Sequence, residues 1–179
     1  MQRLYLKGLV ALLWAFAVNA PAVTASGTLP AASDLQADAE AARAQGAPIL
    51  VFFSSAYCPY CHEVSELYLE PMYRRGDYGN RLLIRAVDVD SSRRLVDFDG
   101  QTTRMDAFAQ REGTRFTPTI RIYGPDGSEL ANAIVGFTSR EFFGGMLWDA
   151  IEHSISKLCG VADAPRAAPD ATTRVAVRC

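Results

Sequence analysis

The amino-acid sequence predicts an α/β domain in which a mixed four-stranded sheet carries helices on both faces. Ile49–Phe53 is apolar at every position, which is typical of a strand covered on both sides. A helical segment separates it from a second apolar segment, Leu82–Asp88, and this order predicts a strand–helix–strand crossover. Two further strand-like segments flank the turn residues Gly124–Gly127 and predict an antiparallel hairpin.

The first predicted element is a helix that precedes the sheet. Ser33 and Gln36 have the spacing of a capping box, with a hydroxyl at the cap and an amide side chain three residues later. The Ala-rich segment that follows favours a helix as far as Gln45, and Gly46 stands where helices often end. The domain is therefore expected to begin near Asp34.

Three helical segments are predicted in the middle of the chain. The first is His62–Leu69, directly after the first strand, with apolar residues on one face. Pro71 is expected to start a second short helix that ends near Gly76 or Gly79. Thr103–Arg111 is predicted to form the third.

The last part of the domain is predicted to contain the hairpin and one long helix. The hairpin strands are Thr119–Tyr123 and Leu130–Val135. The helix is the clearest in the chain, because apolar residues recur every four positions along it. These residues are Phe143, Leu147, Ile151 and Ile155.

The termini are predicted to lie outside the domain. Arg3 and Lys7 flank the start of the apolar run Leu9–Val18, and small residues follow, which is typical of a secretory signal peptide. We expect cleavage after Ala25, so that residues 1–25 are the signal peptide, 26–33 a linker, 34–158 the domain and 159–179 an Ala/Pro-rich tail. A retained membrane anchor is the alternative, although the apolar run is short for a membrane span.

The net charge is -2 and the arginines are scattered, which gives no basic face for nucleic acid. An exported protein works where disulfides form and persist. Cys58 and Cys61 form a Cys-Pro-Tyr-Cys motif between the first strand and its helix, a context typical of a redox pair. Cys58 is expected at the helix N-terminus, where free N–H groups favour a thiolate, and Cys61 one turn deeper as the resolving thiol.

Two other interpretations of the cysteine pair have less support. A metal site needs more ligands than these two cysteines, and His62 and His153 are the only histidines. A permanent disulfide between neighbours closes so small a loop that it stabilises little. We therefore expect neither a metal nor a cofactor, only a redox-active Cys58–Cys61 disulfide.

Arg115–Ile120 supplies a second motif, in which Pro118 stands at the entry to a strand. Together with the cysteine motif, it makes the chain resemble the thioredoxin superfamily, over roughly residues 34–158. The resemblance implies a thioredoxin-like fold with Cys58 and Cys61 as catalytic residues and a cis bond before Pro118. It also implies that Thr117 and Pro118 bind substrate. Tyr57, Tyr60 and Tyr68 are expected to form an apolar rim for partners, although ordinary packing would explain them equally well.

Within the superfamily, the chain looks most like the exported SoxW-type thioredoxins of bacteria. The shared features are the Cys-Pro-Tyr-Cys motif, the Asp97–Gly100 loop, Thr117–Thr119 and Gly136–Thr138. The resemblance implies a monomeric periplasmic reductase that takes electrons from a membrane thiol reductase and reduces an exported disulfide protein. A disulfide-donating oxidase, an isomerase and a non-catalytic binding or copper-handling module are the alternatives.

The chain departs from the thioredoxin pattern at two positions. Tyr57 replaces the tryptophan that usually precedes the first cysteine, and Phe52 replaces a buried aspartate that helps to deprotonate the resolving thiol. These two substitutions are expected to affect the rate and the redox direction of disulfide exchange.

The remaining cysteines, Cys159 and Cys179, are predicted to form a structural disulfide, because exported proteins tend to oxidise paired thiols. The loop that they would close is worth about 3 kcal/mol in the chain-entropy model. A free Cys179 is the alternative.

Overall fold

The computed structural model describes residues 28–160 of the chain. The expected signal peptide, residues 1–25, and the expected tail from Val161 onward lie outside these residues. No helix within the described range is long and apolar enough to cross a membrane.

The elements alternate between helices and strands as the sequence predicts, with one additional small hairpin. The α-helices are α1 (Leu35–Gln45), α2 (Pro59–Val64), α3 (Glu70–Arg75), α4 (Met105–Arg111) and α5 (Arg140–Leu158). The strands are β1 (Ile49–Ser54), β2 (Leu83–Asp88), β3 (Arg94–Val96), β4 (Thr102–Arg104), β5 (Thr119–Tyr123) and β6 (Ile134–Val135). A π-helical turn, Ser65–Leu69, joins α2 to α3, and a 3₁₀ turn, Gly79–Arg81, precedes β2.

The main sheet has the strand order β2-β1-β5-β6. β1 runs parallel to β2 and antiparallel to β5, and β5 runs antiparallel to β6. This arrangement confirms the predicted mixed four-stranded sheet. β1 is an inner strand, and the carboxyl end of β1 lies beside the start of β5, where Phe53 pairs with Thr119.

β1 separates two apolar cores because successive side chains of a strand point to opposite faces. Ile49, Val51 and Phe53 pack with α1 and α4 on one face. Leu50 and Phe52 pack on the other face with α2, α5 and the two cysteines. Helices therefore cover both faces, as predicted, and the cysteine pair belongs to the second core. The predicted apolar stripe of α5 is confirmed, because all four of its residues are buried there.

The predicted capping box at the start of α1 is wrong by one residue. The N-cap is Asp34, whose carboxylate accepts a hydrogen bond from the Ala37 amide at 2.8 Å. A carboxylate next to the helix start stabilises both the free amides and the helix dipole, so it competes well with the Ser33 hydroxyl for this position. At the other end, Gly46 adopts a φ of 63° and ends the helix as expected.

Pro71 lies in the first turn of a second short helix, α3, as predicted, but this helix begins one residue earlier, at Glu70, and continues directly from the π-helical turn. The chain is therefore helical from Pro59 to Arg75. Proline lacks an N–H and its ring clashes with the carbonyl four residues earlier, so an unmodified α-helix would be strained here. The wider π turn changes the hydrogen-bond spacing just before the ring, with Glu70 N–H donating to the Ser65 carbonyl. Gly76 then ends the helix.

The segment before α4 also differs from its prediction. β3 and β4 form a small hairpin, so α4 begins at Met105 and not at Thr103. Asp97, which is buried in the connecting turn, accepts hydrogen bonds from the amides of Asp99 and Gln101. It also pairs with Arg111 of α4 at 2.6 Å. This carboxylate joins the hairpin to the helix.

The second strand of the predicted hairpin is shorter than expected. Only Ile134–Val135 forms β6, and Glu129 contributes an isolated bridge to Tyr123. Residues between these two points leave the sheet, so they form one wall of a surface groove beside α5.

Two buried tyrosines predict weaker folding at alkaline pH. Burial raises the pKa of both Tyr78 and Tyr123, and Glu152 and Glu112 respectively raise it further. A tyrosine in the unfolded chain ionises near pH 10. Because the folded-state pKa of each tyrosine lies above this value, its contribution to the free energy of unfolding is fully present below pH 10. The contribution is lost as pH rises above 10, by up to about 1.4 kcal/mol per pH unit for each tyrosine.

Phenylalanine variants separate the two tyrosines. Tyr123 donates a hydrogen bond to Glu112 at 2.8 Å, so Tyr123→Phe is expected to cost about 1–2 kcal/mol at pH 7. The Tyr78 hydroxyl has no partner within residues 28–160, so Tyr78→Phe is expected to be neutral or stabilising. Urea unfolding at pH 7 and 11 checks both effects. Between these two pH values, each variant is expected to lose less free energy of unfolding than the unsubstituted protein. Exposed Tyr57→Phe is the control, and an unchanged pH dependence in both buried variants would contradict the assignment.

Candidate active site

The cysteine pair lies where β1 passes into the helix that starts at Pro59. Cys58 is the N-cap residue of α2, with extended backbone angles, and Pro59 occupies the first helical turn, where its missing N–H is not required. Cys58 and Cys61 form a disulfide, with their Cα atoms 5.2 Å apart. The strand-to-helix position predicted from the sequence is therefore present.

One backbone amide donates a hydrogen bond to the Cys58 sulfur on its helix side. The Cys61 amide donates to Cys58 Sγ at 3.1 Å and to the Cys58 carbonyl at 3.0 Å. In the reduced protein the same amide can donate to a thiolate at Cys58, and hydrogen bonds to an ionised acceptor are the stronger kind. Cys58 is 9% exposed and Cys61 3%. Cys58 is thus the more exposed residue of a largely buried pair.

The Thr117–Pro118 segment lies at the same end of the sheet as the cysteines. The peptide bond between Thr117 and Pro118 is cis. Because Phe53 pairs with Thr119, the next antiparallel position places Pro118 beside Ser54, four residues before Cys58. Pro118 is buried, whereas Thr117 is partly exposed. The fold therefore brings together two motifs that are far apart in the sequence.

Behind the disulfide, the interior of the protein is apolar. Phe52 is 3% exposed and belongs to the same buried cluster as Cys58 and Cys61. It pairs with Ala86 of β2 and Ile120 of β5 along the sheet. The position at which many thioredoxins carry an aspartate is thus occupied by a tightly packed aromatic ring.

Exposed apolar side chains are concentrated around this end of the sheet. We call this set the apolar rim, and it consists of Tyr57, Tyr60, Phe116, Val135 and Phe142. Tyr57 is 90% exposed and Phe116 69%, so neither ring takes part in the core. Large exposed apolar groups that gather in one region are typical of a binding surface. The sequence predicted Tyr57 and Tyr60 but not the other members, and the third predicted tyrosine, Tyr68, is partly buried against Phe137 and Phe143.

Polar contacts hold part of this rim in place. The Arg140 guanidinium at the start of α5 pairs with Glu63 of α2 at 2.7 Å, and the Tyr68 hydroxyl donates to the Arg140 carbonyl at 2.8 Å. Phe142 follows two residues later. Tyr60 packs against Phe137, with ring centroids 6.1 Å apart. The first turn of α5 is therefore tied to the helix that carries the cysteines.

Phe116 and Phe142 were not predicted from the sequence, for different reasons. Phe116 precedes Thr117-Pro118 directly, and its position in that motif was a usable signal. Phe142 is adjacent to the buried Phe143 but lies outside the predicted apolar stripe of α5, so the helical pattern indicated no role for it.

The other predicted residues lie away from the disulfide or on its edge. Cys159 follows α5 and packs, partly buried, against the second core, whereas Cys179 lies outside the described residues, so their pairing stays a prediction. His62 Nε2 lies 3.3 Å from the Ala56 carbonyl oxygen, and His153 is exposed on α5. Within residues 28–160, no group of three or more His, Cys, Asp or Glu side chains could hold a metal ion.

A family model described as the thioredoxin-like domain matches residues 35–151. The chain belongs to this family. The matched range runs from the first residue of α1 into α5, so it covers the whole sheet, the cysteine pair and the Thr117–Pro118 segment. No curated protein matches the chain significantly.

Solved thioredoxin structures are similar to the chain at low sequence identity. A mutant thioredoxin from Halobacterium salinarum is 19% identical, covering 72% of this chain and 96% of that one, with a TM-score of 0.43. Oxidised mitochondrial thioredoxin 3 from Saccharomyces cerevisiae is 15% identical, with 69% and 93% covered and a TM-score of 0.47. Fasciola hepatica thioredoxin is 16% identical, with 70% and 99% covered and the same TM-score of 0.47.

A thioredoxin-like domain with a close cysteine pair at a helix start supports thiol–disulfide oxidoreductase activity. The site contains two bonded cysteines, of which Cys58 is the more exposed, and exposed apolar side chains around them. These are the parts that an exchange reaction with another protein requires.

Proposed function

We propose that the protein is an exported thiol–disulfide oxidoreductase of the SoxW type, which reduces a disulfide in another exported protein through Cys58 and Cys61. The observation that carries the proposal is the Cys58–Cys61 disulfide at the start of α2, with Cys58 as the more exposed residue of the pair. The predicted signal peptide and the disulfide chemistry support a periplasmic location. A membrane thiol reductase is the proposed electron donor.

The reaction begins with the reduced dithiol. The Cys58 thiolate attacks one sulfur of the target disulfide, so that a Cys58–target bond forms and the target S–S bond breaks. The other target sulfur leaves as a thiolate and takes a proton from water. The Cys61 amide, which lies 3.1 Å from Cys58 Sγ, stabilises the attacking thiolate before this step.

Cys61 then completes the reaction. Its thiol loses a proton, and the thiolate attacks Cys58 Sγ, which forms the Cys58–Cys61 disulfide and releases the second target sulfur as a thiolate. The target has gained two electrons and, after protonation, two thiols, while the protein has become oxidised. A dithiol donor must return two electrons to Cys58 and Cys61 before the next cycle.

The direction of exchange is tested by the reduction potential of the Cys58–Cys61 couple. The proposed direction rests on architecture, since residues 28–160 form one small domain in which β2 follows α3 with only a 3₁₀ turn between them. The resemblance associates this plain form, without an inserted helical domain, with reductants. We expect equilibration with glutathione to give a potential more reducing than about -200 mV, whereas a value more oxidising than about -180 mV would favour the disulfide-donating oxidase.

A separate measurement distinguishes the enzyme from a thioredoxin-fold binding or copper-handling module. The reduced protein is mixed with a disulfide-containing peptide, and the released thiols are counted. We expect two thiols for each protein oxidised. Binding of the peptide without release of thiols would support the non-catalytic alternative.

The apolar rim is proposed to bind the target chain around its disulfide, with the backbone of Thr117 pairing with an extended segment. We expect Tyr57→Ala and Phe116→Ala each to lower kcat/KM for a protein disulfide roughly 5- to 30-fold, which corresponds to about 1–2 kcal/mol of lost apolar contact. Because both side chains are exposed, the free energy of unfolding is expected to change by less than about 0.5 kcal/mol.

The control for this effect is the small reagent dithiobis(nitrobenzoic acid), whose disulfide reaches Cys58 without a protein surface around it. Reduction of this reagent is expected to change less than about twofold in both variants, because it makes little contact with the rim. Equal losses for the small reagent and the protein target would contradict a docking role for the rim.

A further inference from the structure

A polar cleft of about 790 Å³, which we call the α4 cleft, lies beside α4 at the active-site end of the sheet. Val89 and Arg115 both line it. The Val89 amide donates to the carbonyl of Ser54, the last residue of β1, at 2.9 Å. Arg115 is followed directly by Phe116 of the apolar rim and then by Thr117. The α4 cleft is therefore adjacent to the surface that is proposed to bind a target.

The charged groups that line the α4 cleft do not balance. They are the guanidinium groups of Arg104 and Arg115 and the carboxylate of Asp106. Arg104 Nε donates to Asp106 Oδ1 at 3.0 Å, and this hydrogen bond holds the pKa of Asp106 below its usual range. Asp90, on the loop after Val89, accepts a hydrogen bond from the Ser55 hydroxyl at 2.5 Å. Arg115 is exposed and forms no ion pair within residues 28–160, so its positive charge is left unmatched.

Arg115 lies on a short segment whose backbone is held on both sides. On one side, the Thr114 amide donates to the Ala109 carbonyl of α4 at 3.0 Å. On the other side, the Phe116 carbonyl accepts a hydrogen bond from the Thr119 hydroxyl at 2.8 Å. The backbone that carries Arg115 is thus ordered before a partner arrives, which reduces the entropy lost on binding.

A second polar group of the α4 cleft lacks a partner. Thr114 lines the cleft, and its hydroxyl oxygen is buried without a hydrogen-bond partner within residues 28–160. A buried hydroxyl without a partner is energetically costly. An acceptor supplied by a partner removes this cost, and a carboxylate is an acceptor that also matches the charge of Arg115.

The place of Arg115 in the chain indicates where such a carboxylate would come from. Two residues of backbone span at most about 7 Å, so Arg115 lies close to Thr117, whose backbone is proposed to pair with the target. Side chains within a few residues of the reactive cysteine of the target then come within reach of the guanidinium. A guanidinium binds a carboxylate through two parallel hydrogen bonds, which makes this contact specific.

We propose that Arg115 and the α4 cleft bind an acidic side chain of the target, so that the protein prefers disulfides with an aspartate or glutamate within about three residues of the reactive cysteine. This inference rests on the proposed function, because it names a feature of the targets that Cys58 attacks. The apolar rim makes contacts that many sequences satisfy, whereas a charge pair in a polar cleft discriminates between targets.

Peptide disulfides that differ at one residue test the proposal. Each substrate is a symmetrical dimer of a peptide joined through its single cysteine, with glutamate or glutamine at one of the positions within about three residues of that cysteine. At low ionic strength, we expect glutamate to raise kcat/KM for reduction roughly three- to tenfold at one position or more, and the advantage to shrink as salt is added. Rates for glutamate and glutamine that agree within about twofold at every position would overturn the proposal.

Substitution of Arg115 identifies the contact. Arg115→Gln is expected to bring the ratio of the glutamate rate to the glutamine rate to about one, and Arg115→Glu to favour lysine over glutamate at the same position. Arg74→Gln is the matched control, because it removes the charge of another exposed arginine, on α3, and is expected to keep the ratio. A ratio that survives in Arg115→Gln, or that falls equally in Arg74→Gln, would contradict the assignment.

The glutamine peptide keeps this inference separate from the proposed function. If the unsubstituted protein reduces the glutamine peptide, the Cys58–Cys61 couple is active, and an equal rate for the glutamate peptide overturns only the role of Arg115. If it reduces neither peptide, the proposed function itself fails.

Discussion

Replacing Cys61 with serine is expected to trap target proteins on Cys58 as stable mixed disulfides, whereas replacing Cys58 with serine abolishes both trapping and disulfide reduction. Cys58 is the more exposed residue of the pair and its sulfur accepts a hydrogen bond from the Cys61 amide, so we expect a target to react at Cys58. Without Cys61, the second exchange step has no internal nucleophile. The mixed disulfide then persists until an external thiol attacks it.

The size of the effect follows from the loss of the nucleophile. We expect reduction of a protein disulfide to fall by at least about 10³-fold in Cys58→Ser, because a serine hydroxyl is not ionised at neutral pH. Non-reducing electrophoresis and mass spectrometry of the Cys61→Ser protein, incubated with an oxidised target, measure the trapped species.

The Cys159→Ser/Cys179→Ser double variant is the matched control for trapping. Introduced into the Cys61→Ser protein, it removes the other two cysteines of the chain and is expected to leave the trapped fraction unchanged. If Cys58→Ser traps targets and Cys61→Ser does not, the roles of the two cysteines are reversed. Trapping that disappears in the control would place the reactive thiol outside the cysteine motif.

The second large effect is expected at Phe52, whose ring lies in the core beside the cysteine pair. Phe52→Asp removes a buried aromatic side chain, and truncation of such a ring costs about 3–5 kcal/mol. Burial of the new carboxylate adds to this loss. Since domains of this kind are stable by about 5–15 kcal/mol, a marked fall in the urea midpoint is expected in a protein that still folds.

In the folded fraction, the same substitution is expected to accelerate the second exchange step. Cys61 is 3% exposed, and its proton otherwise has to reach water or a neighbour such as His62 before the thiolate can attack. A well-placed general base contributes about 10²–10⁴-fold. We expect a smaller gain, roughly tenfold, because the cavity at residue 52 is shaped for an aromatic ring.

Phe52→Asn separates the two consequences. It creates a similar cavity and introduces a similar polar group, but it cannot accept the proton. We expect Asn to destabilise the protein as much as Asp or less and to leave the lifetime of the mixed disulfide unchanged. Single-turnover kinetics with a labelled target give that lifetime, and equal rates in the Asp and Asn variants would exclude a limiting proton transfer from Cys61.

Several parts of the fold could be predicted because they depend on local pattern. The all-apolar run of β1 reflects burial on both faces, and the four-residue period of α5 reflects one buried face. The cysteine motif lies between a strand and a helix that both have clear patterns. These features are encoded by residues close in sequence, so the mixed sheet and the place of Cys58 and Cys61 were predictable.

Where two local signals competed, the tertiary context selected one. Pro71 predicted a helix start and α3 does begin beside it, but the helical backbone reaches it without a break, because the preceding π turn accommodates the ring while Leu69 remains buried in the core. β3 and β4 replace the first turn of the predicted helix because Asp97 links their turn to Arg111. These contacts join separate segments of the chain, so they produce no periodic pattern of residues in the sequence.

Short patterns along the chain were enough to predict the family, the main strands and helices, and the redox pair, since each pattern has a direct physical cause. The surface around that pair became visible only once the chain was folded. The apolar rim combines residues around the start of α2 with residues of β6, α5 and the segment before β5, which lie up to about 85 positions apart in the chain. Sheet pairing and the Glu63–Arg140 contact bring them to one end of the molecule, because backbone hydrogen bonds and charge pairing act between segments that no sequence window contains together.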